Sequence, residues 1–335
     1  MRWHSNPAAR AWRTTPAPAE VLAFHQSLPA YRPTPLTPVP SLAAELGVGQ
    51  VLVKDESLRL GLPAFKALGA WWAIHRAVQD HPGATELVTA TDGNHGRAVA
   101  RRAAMLALPA QIFVPDVVGD AAVDAIRSEG ATVTVVPDSY DAAVAEAASY
   151  AGDGRLLIQD SAWPGYEVIP QYIVDGYSTL FREIEVEPDL VVVPMGVGSV
   201  AQAAVTHYRS GSVTPALLGV EPASASCVTT SLLAGELLTV PTGKTVMAGL
   251  NCGTLSSLAW PVLRSGLDYS VTVEDDEALQ AVDDLMAAGI SSGPSGAATL
   301  AGLRAARDRL ELDASSTVVL ISTEGKLPAP AGEPA

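Results

Sequence analysis

From about residue 50 to residue 321 the chain alternates short β-branched or aliphatic runs with alanine-rich stretches of helical periodicity. The runs predict strands at 51–54, 86–90, 111–114, 132–136, 155–159, 190–193, 216–220 and 317–321. The stretches between them predict helices at 64–80, 95–107, 118–129, 140–150, 172–185, 200–208, 275–288 and 295–310. Strands that are apolar throughout, rather than alternating, are buried on both faces. Interleaved with helices, they define a parallel, doubly wound α/β architecture. Residues 1–41 are proline-rich and end in Arg32-Pro-Thr-Pro-Leu-Thr-Pro-Val-Pro40, so they are expected to run irregularly across the surface. No repeat and no low-complexity linker interrupts the pattern, so any second domain arises by the chain crossing out and back.

Composition narrows the function classes. The 335 residues suffice for one large or two medium domains, and 48% hydrophobic with 17% charged residues excludes a disordered or fibrous chain. Acidic residues outnumber basic ones 36 to 21, a formal charge of −15. That field repels phosphate backbones and anionic bilayers, so neither nucleic acid nor membrane is an expected partner. Cys227 and Cys252 match no metal or redox spacing, and a reducing cytoplasm is the simplest setting. Residues 1–21 show no apolar secretion-signal core. Residues 190–208 carry no formal charge over nearly the length of a membrane span. Pro194, Gly196, Gly198, Ser199 and Gln202 fit a strand, a glycine turn and a helix start better.

Ligands of such sheets bind beyond the carboxyl ends of the strands. The residues following the predicted strands include Thr91-Asp-Gly-Asn-His-Gly96, Asp160-Ser-Ala-Trp163, Pro194-Met-Gly-Val-Gly-Ser199, Glu221-Pro222 and Ser322-Thr-Glu-Gly325, polar and glycine-rich residues expected along one edge of the sheet. Lysine occurs only at 54, 66, 244 and 326. Lys66, in Gly61-Leu-Pro-Ala-Phe-Lys-Ala-Leu-Gly-Ala-Trp-Trp72, has apolar neighbours on both sides, the setting of a carbonyl-attacking amine; a stem laid over apolar surface is the plainer alternative. Gly196-Val197-Gly198-Ser199 opens a helix after an apolar strand and suits a phosphate, although it is neither a Walker loop nor a full dinucleotide fingerprint. Asp92-Gly-Asn94-His95-Gly96 either presents Asn94 to a ligand or caps a helix through Asp92 or Asn94, and His95 reads first as a structural or capping histidine. No His/Cys spacing supports a metal.

A phosphorylated aldehyde held by the glycine loop and joined to a lysine accounts for all three features. The ordered set resembles the fold-type II, tryptophan synthase β-like pyridoxal-phosphate enzymes, and within them the diaminopropionate ammonia-lyases. The resemblance rests on Phe24-His25, Leu28-Pro29, Tyr31, Pro33-Thr34-Pro35-Leu36, Lys54-Asp-Glu-Ser57, Ala64-Phe-Lys66 and Ala90-Thr-Asp-Gly-Asn-His-Gly-Arg97. It continues through Gln159-Asp160, Ala162-Trp163, Gly165-Tyr166, Ile169-Pro170, Val246-Met-Ala-Gly-Leu-Asn-Cys-Gly253 and Ile321-Ser-Thr-Glu-Gly325.

The resemblance implies two doubly wound α/β domains with pyridoxal 5'-phosphate in the cleft between them. Residues 1–80 and 165–335 would form the large cofactor-binding domain, and 81–164 a small mobile one. Carried over by position, Lys66 would form the internal aldimine and shuttle the α-proton, and Asn94 would contact the ring hydroxyl. Gly196, Val197, Gly198 and Ser199 would cradle the phosphate, and Ser322, or alternatively Thr323, would meet the pyridine nitrogen. A hydroxyl there favours β-elimination over transamination. Asp92 stands where dehydratases of the group carry a small hydroxyl residue. With Asp160 it supplies two acids for a diamino substrate, one of them serving as base for the D-isomer while the lysine serves the L-isomer. A cap on the following turn is the alternative for Asp160.

The implied reaction is β-elimination of ammonia from 2,3-diaminopropionate to aminoacrylate, then pyruvate and a second ammonia. A serine/threonine dehydratase and a β-replacement synthase are the alternatives, and a homodimer is the implied assembly. Two departures stand out: Gly293 and Pro294 replace a glutamate usual before or within Ser-Gly, and Lys326 replaces an acidic residue.

Overall fold

The computed structural model describes residues 1–91, 93–137 and 139–325. In chain order the strands are β1 (Trp3–Ser5), β2 (Leu36–Pro38), β3 (Gln50–Asp55), β4 (Glu86–Ala90), β5 (Ala110–Pro115), β6 (Thr132–Val136), β7 (Arg155–Leu157), β8 (Leu190–Pro194), β9 (Ala216–Pro222), β10 (Tyr269–Val273) and β11 (Thr317–Ser322). They form two sheets in two compact units, one built from Met1–Phe65 and Tyr177–Lys326, the other containing Lys66–Gly176.

The first unit carries a seven-stranded sheet in the order β1-β10-β9-β8-β11-β3-β2. The five inner strands are parallel, with Leu190 opposite Ala216 and Ile321 opposite Lys54. Every residue of β8 and β9 is buried, as their unbroken Val/Leu runs require in a sheet covered on both faces. Leu190, Val192, Leu218, Val220, Val318 and Leu320 form one core with Ala297, Leu300 and Leu303 of the helix Pro294–Ala306.

The second unit is a four-stranded parallel sheet, β6-β5-β4-β7. Its core joins Val88, Ala90 and Phe113 to Ala143 and Ala147 of the helix Tyr140–Tyr150. The helix Lys66–Asp80 packs on the helix Asn94–Met105, where Trp71 Nε1 donates to Ala98 O at 2.9 Å. Gly176, in the helix Val168–Arg182, lies so close to Lys66–Asp80 that a Cβ would fall 2.5 Å from Leu68 O. Those packings make this unit wider than residues 81–164.

Several expectations change. Polar motifs expected along one sheet edge are divided between two sheets, because β4 and β7, which precede residues 91 and 160, belong to a different sheet from β8 and β11. Residues 1–41 are not irregular throughout. The helix Glu20–Gln26 forms between Pro18 and Pro29, burying Val21 and His25 one turn apart, with His25 Nδ1 2.7 Å from Thr179 Oγ1. β2 holds Pro38 on an edge, where a missing N–H is tolerated. β10, an alternating Tyr-Ser-Val-Thr-Val run, was not expected, nor was β1, which covers it in antiparallel register with Trp3 opposite Val271. β7 ends at Leu157 rather than at 159, because the Gln159 side chain takes over the pairing. Its Oε1 accepts from Ala90 N at 3.0 Å. Residues 190–208 form β8 and most of the helix Ser199–Ser210. No helix among the described residues is long and apolar enough to cross a membrane.

Candidate active site

In the second unit the predicted lysine meets a predicted acid. Lys66 is the first residue of its helix, Asp160 follows β7, and Lys66 Nζ lies 2.7 Å from Asp160 Oδ2. The carboxylate is 8% exposed and the lysine side chain 22%. Burial pushes the Asp160 carboxyl up, but the Lys66 charge, the His95 ring and the Lys66 hydrogen bond outweigh it and hold the group down at about 2. Asp160 is therefore placed as a carboxylate against the Lys66 side chain. The turn that carries it is braced. Gln159 Nε2 donates to Tyr140 Oη at 2.8 Å, Gln159 N donates to Tyr166 Oη at 2.9 Å, and Tyr166 stacks on Trp163 with centroids 4.5 Å apart.

Asn94 is the first helical residue of Asn94–Met105, with Gly93 as its N-cap. Thr91 Oγ1 accepts from Gly93 N at 2.9 Å and Gly96 N at 3.1 Å at the start of this helix. Asp92 lies outside the described residues. His95, read from sequence as a structural or capping histidine, is buried with Nε2 2.7 Å from Ile158 O and Nδ1 4.0 Å from Asp160 Oδ2. Burial holds its imidazole below the usual range. Its place inside the Thr91–Gly96 motif was the signal available, but only folding brings it beside Asp160.

The other lysines have different environments. Lys54 is fully buried, 2.6 Å from Glu183 Oε2 and 2.9 Å from Thr34 O, inside a cluster that also joins Arg59 to Glu56 and Glu183. Lys244 is exposed, and Lys326 lies outside the described residues.

In the first unit the glycine loop and Ser322 stand at the carboxyl ends of neighbouring strands, β8 and β11. Gly198 is the N-cap of Ser199–Ser210, with φ +90° in the left-handed region. A Cβ on Gly198 would fall 2.7 Å from Leu255 Cδ1, and one on Gly196 would fall 3.0 Å from Gly249 O and 3.1 Å from Cys252 Sγ. Ser256 N donates to Val197 O at 3.0 Å and fixes the loop. A helix start leaves its first amides without intrahelical acceptors, the donor set that binds phosphate. On the segment facing Gly196, Asn251 Oδ1 is buried without a hydrogen-bond partner among the described residues. A cradle that only glycine leaves open, backbone donors and an unsatisfied acceptor fit a phosphorylated, polar ligand.

Ser322 is fully buried and donates to Ser292 Oγ at 2.8 Å. Thr323 is also buried, and its carbonyl accepts from Phe65 N at 3.1 Å. Gly296 approaches both, since a Cβ there would lie 2.9 Å from Thr323 N and 3.1 Å from Ser322 Oγ. The departure at Gly293 has a spatial counterpart: a Cβ on Gly293 would lie 2.9 Å from Glu324 Oε1. The Glu324 carboxylate fills the space that a side chain at 293 would need.

Residues 28–324 match the family of pyridoxal-phosphate dependent enzymes. The diaminopropionate ammonia-lyase of Salmonella typhimurium is 35% identical over 91% of this chain and 88% of its own length. The enzyme of the same name from Escherichia coli is 36% identical over 90% and 86%. A crystal structure of the Escherichia coli diaminopropionate ammonia-lyase, in complex with an aminoacrylate-PLP azomethine reaction intermediate, superposes with a TM-score of 0.87 at 32% identity, covering 97% of this chain and 93% of that one. Matched over nearly its whole length, the chain belongs to the pyridoxal-phosphate-dependent enzymes, within them to the diaminopropionate ammonia-lyase family.

Proposed function

We propose that this enzyme eliminates ammonia from the β-carbon of 2,3-diaminopropionate, giving 2-aminoacrylate, which hydrolyses to pyruvate and a second ammonia. The balance is one diaminopropionate and one water giving one pyruvate and two ammonia. The observation that carries the reading is the Asp160 carboxylate 2.7 Å from Lys66 Nζ, an acid set on the amine itself. Pyridoxal phosphate, when bound, links to an amine through its aldehyde and accepts the electron pair left when the α-proton departs.

The chain's own residues supply the rest. Lys66 is the amine that attaches the cofactor and takes the α-proton of the L-isomer. Gly196, Val197, Gly198 and Ser199 hold the phosphate through backbone N–H groups, with no room for a side chain at 196 or 198. Asn94 meets the ring hydroxyl. Ser322, a neutral hydroxyl already held by Ser292, meets the ring nitrogen without fully charging it, with Thr323 as the alternative. Asp92 and Asp160 attract the second ammonium of a diamino acid and pass a proton to the leaving amine; Asp92 also serves as base for the D-isomer. Elimination of ammonia requires that proton, because an amide ion is too poor a leaving group.

The working unit is proposed to be a homodimer in the cytoplasm. Light scattering at micromolar concentration should give twice the chain mass, and the chain mass alone would refute the dimer.

The test is a substrate panel with no added nucleophile. Diaminopropionate should yield pyruvate and two equivalents of ammonia. Serine turning over faster, or threonine giving 2-oxobutyrate, would favour a dehydratase, and dependence on an added nucleophile a β-replacement synthase. Borohydride should fix the cofactor to Lys66. Labelling at Lys54, Lys244 or Lys326 would overturn the site.

A further inference from the structure

The Lys66–Asp160 pair is backed by a side chain that the mechanism above does not use. His95 lies buried in the helix Asn94–Met105 with Nε2 2.7 Å from Ile158 O. A carbonyl oxygen only accepts, so Nε2 carries the hydrogen and Nδ1 presents a bare lone pair. That Nδ1 is buried, has no hydrogen-bond partner among the described residues, and stands 4.0 Å from Asp160 Oδ2. A lone pair and a carboxylate face each other, two acceptors that cannot bond until one of them holds a proton. An unsatisfied buried acceptor is costly, and a proton arriving on Asp160 would satisfy this one.

We propose that His95 is a positioning residue for Asp160, its Nδ1 accepting a hydrogen bond from the Asp160 carboxyl when that carboxyl takes the proton of the Lys66 ammonium. The proton leaves Nζ for Oδ2, the electron pair of the broken N–H bond stays on nitrogen, and the new O–H donates to Nδ1. Onward transfer to Nδ1 would give an imidazolium whose Nε2–H still faces Ile158 O. Ammonium, carboxylate and neutral imidazole sum to zero charge, as do amine, acid and imidazole, so the buried cluster changes no net charge. His95 thereby lets Lys66 become the neutral amine that an aldehyde requires. The inference rests on Lys66 being the cofactor-bearing lysine.

Among the described residues, the charged groups facing His95 are Asp160, from the turn after β7, and Lys66, from the helix Lys66–Asp80; Ile158 contributes its carbonyl. Burial keeps the ring neutral at neutral pH, so the acceptor is present there and is lost only on acidification.

The experiment follows attachment of pyridoxal phosphate to the apoprotein by its visible band, from pH 5 to 8.5. In the wild type the rate should fall on the acid side as Nδ1 is protonated. His95→Gln keeps an N–H for Ile158 O but places no acceptor at Nδ1. It should retain thermal stability and the final band, attach cofactor about 10²-fold more slowly, and lose the acid limb. His95→Asn, which keeps a group near Nδ1 and gives up the Ile158 bond, should attach faster than His95→Gln while melting lower. In an Asp160→Asn background, His95→Gln should add nothing.

Wild-type rate and pH profile in His95→Gln would overturn the proposal, as would slowing that only tracks lost stability or that persists without Asp160. If His95→Gln fails to fold, the limb in Asp160→Asn decides: its disappearance supports the coupling and its survival refutes it. Failure of the lyase reading looks different, as wild-type protein that attaches cofactor normally yet releases no pyruvate from diaminopropionate.

Discussion

Replacing Asp160 by asparagine removes one charge and almost no volume, so its effects can be worked from the site. Asp160 is 8% exposed and 2.7 Å from Lys66 Nζ, and its carboxyl is drawn from 3.8 to about 2. Just under two pK units at about 1.4 kcal/mol each make the charge worth about 2–3 kcal/mol to the folded state at neutral pH. The folded value lies below the unfolded one, so this stability is complete above the unfolded pKa and decays as pH falls through it towards 2. Urea unfolding at pH 7 should therefore find Asp160→Asn about 2–3 kcal/mol less stable than wild type, a gap shrinking to about half by pH 3. Pyruvate formation from diaminopropionate should drop about 10²–10⁴-fold, the usual cost of losing a general acid–base group. Equal stability at pH 7, a gap that widens on acidification, or near-wild-type turnover would each refute the reasoning.

Gly198→Ala puts a left-handed residue at φ +90° with its Cβ 2.7 Å from Leu255 Cδ1. The strain of about 1–2 kcal/mol plus the clash should weaken cofactor binding by tenfold or more in a fluorescence titration. Asp92→Asn should keep the cofactor's visible band yet lower pyruvate formation from the D-isomer by about 10²–10⁴-fold and from the L-isomer less; equal rates on both isomers would make Asp92 structural. Deleting residues 1–5 removes β1 and the Trp3 ring stacked 5.2 Å from Tyr269, baring the edge of β10. A lower melting temperature and concentration-dependent light scattering should follow.

Much of the fold was legible because burial on both faces leaves a local signature. The run 86–90 coincides with β4, buried at four of its five residues; 132–136 coincides with β6, an edge strand mostly open to solvent but β-branched throughout, and 140–150 with its helix. β1, β2 and β10 were not legible. Three-residue edge strands carry almost no periodicity, and β2 is written in prolines that argue against a strand. The helix Glu20–Gln26 is short and is held by contacts such as His25 with Thr179, 154 positions away.

At the site, sequence alone singled out Lys66, the glycine loop and Asp160, because a lysine among apolar residues and glycines after a strand are chemically conspicuous wherever they occur. Tertiary structure decided which of these groups act on one another. It set Asp160 against Lys66, 94 residues away, and put Lys54 out of reach inside an ion-pair cluster. It also set His95, a structural or capping histidine by sequence, beside Asp160 and filled the space at Gly293 with the carboxylate of Glu324. The physical reason is one of range. Periodicity and turn chemistry are written over a few residues, whereas the partner of a buried charge depends on which strands lie side by side, and strand order leaves no mark on the segments it joins.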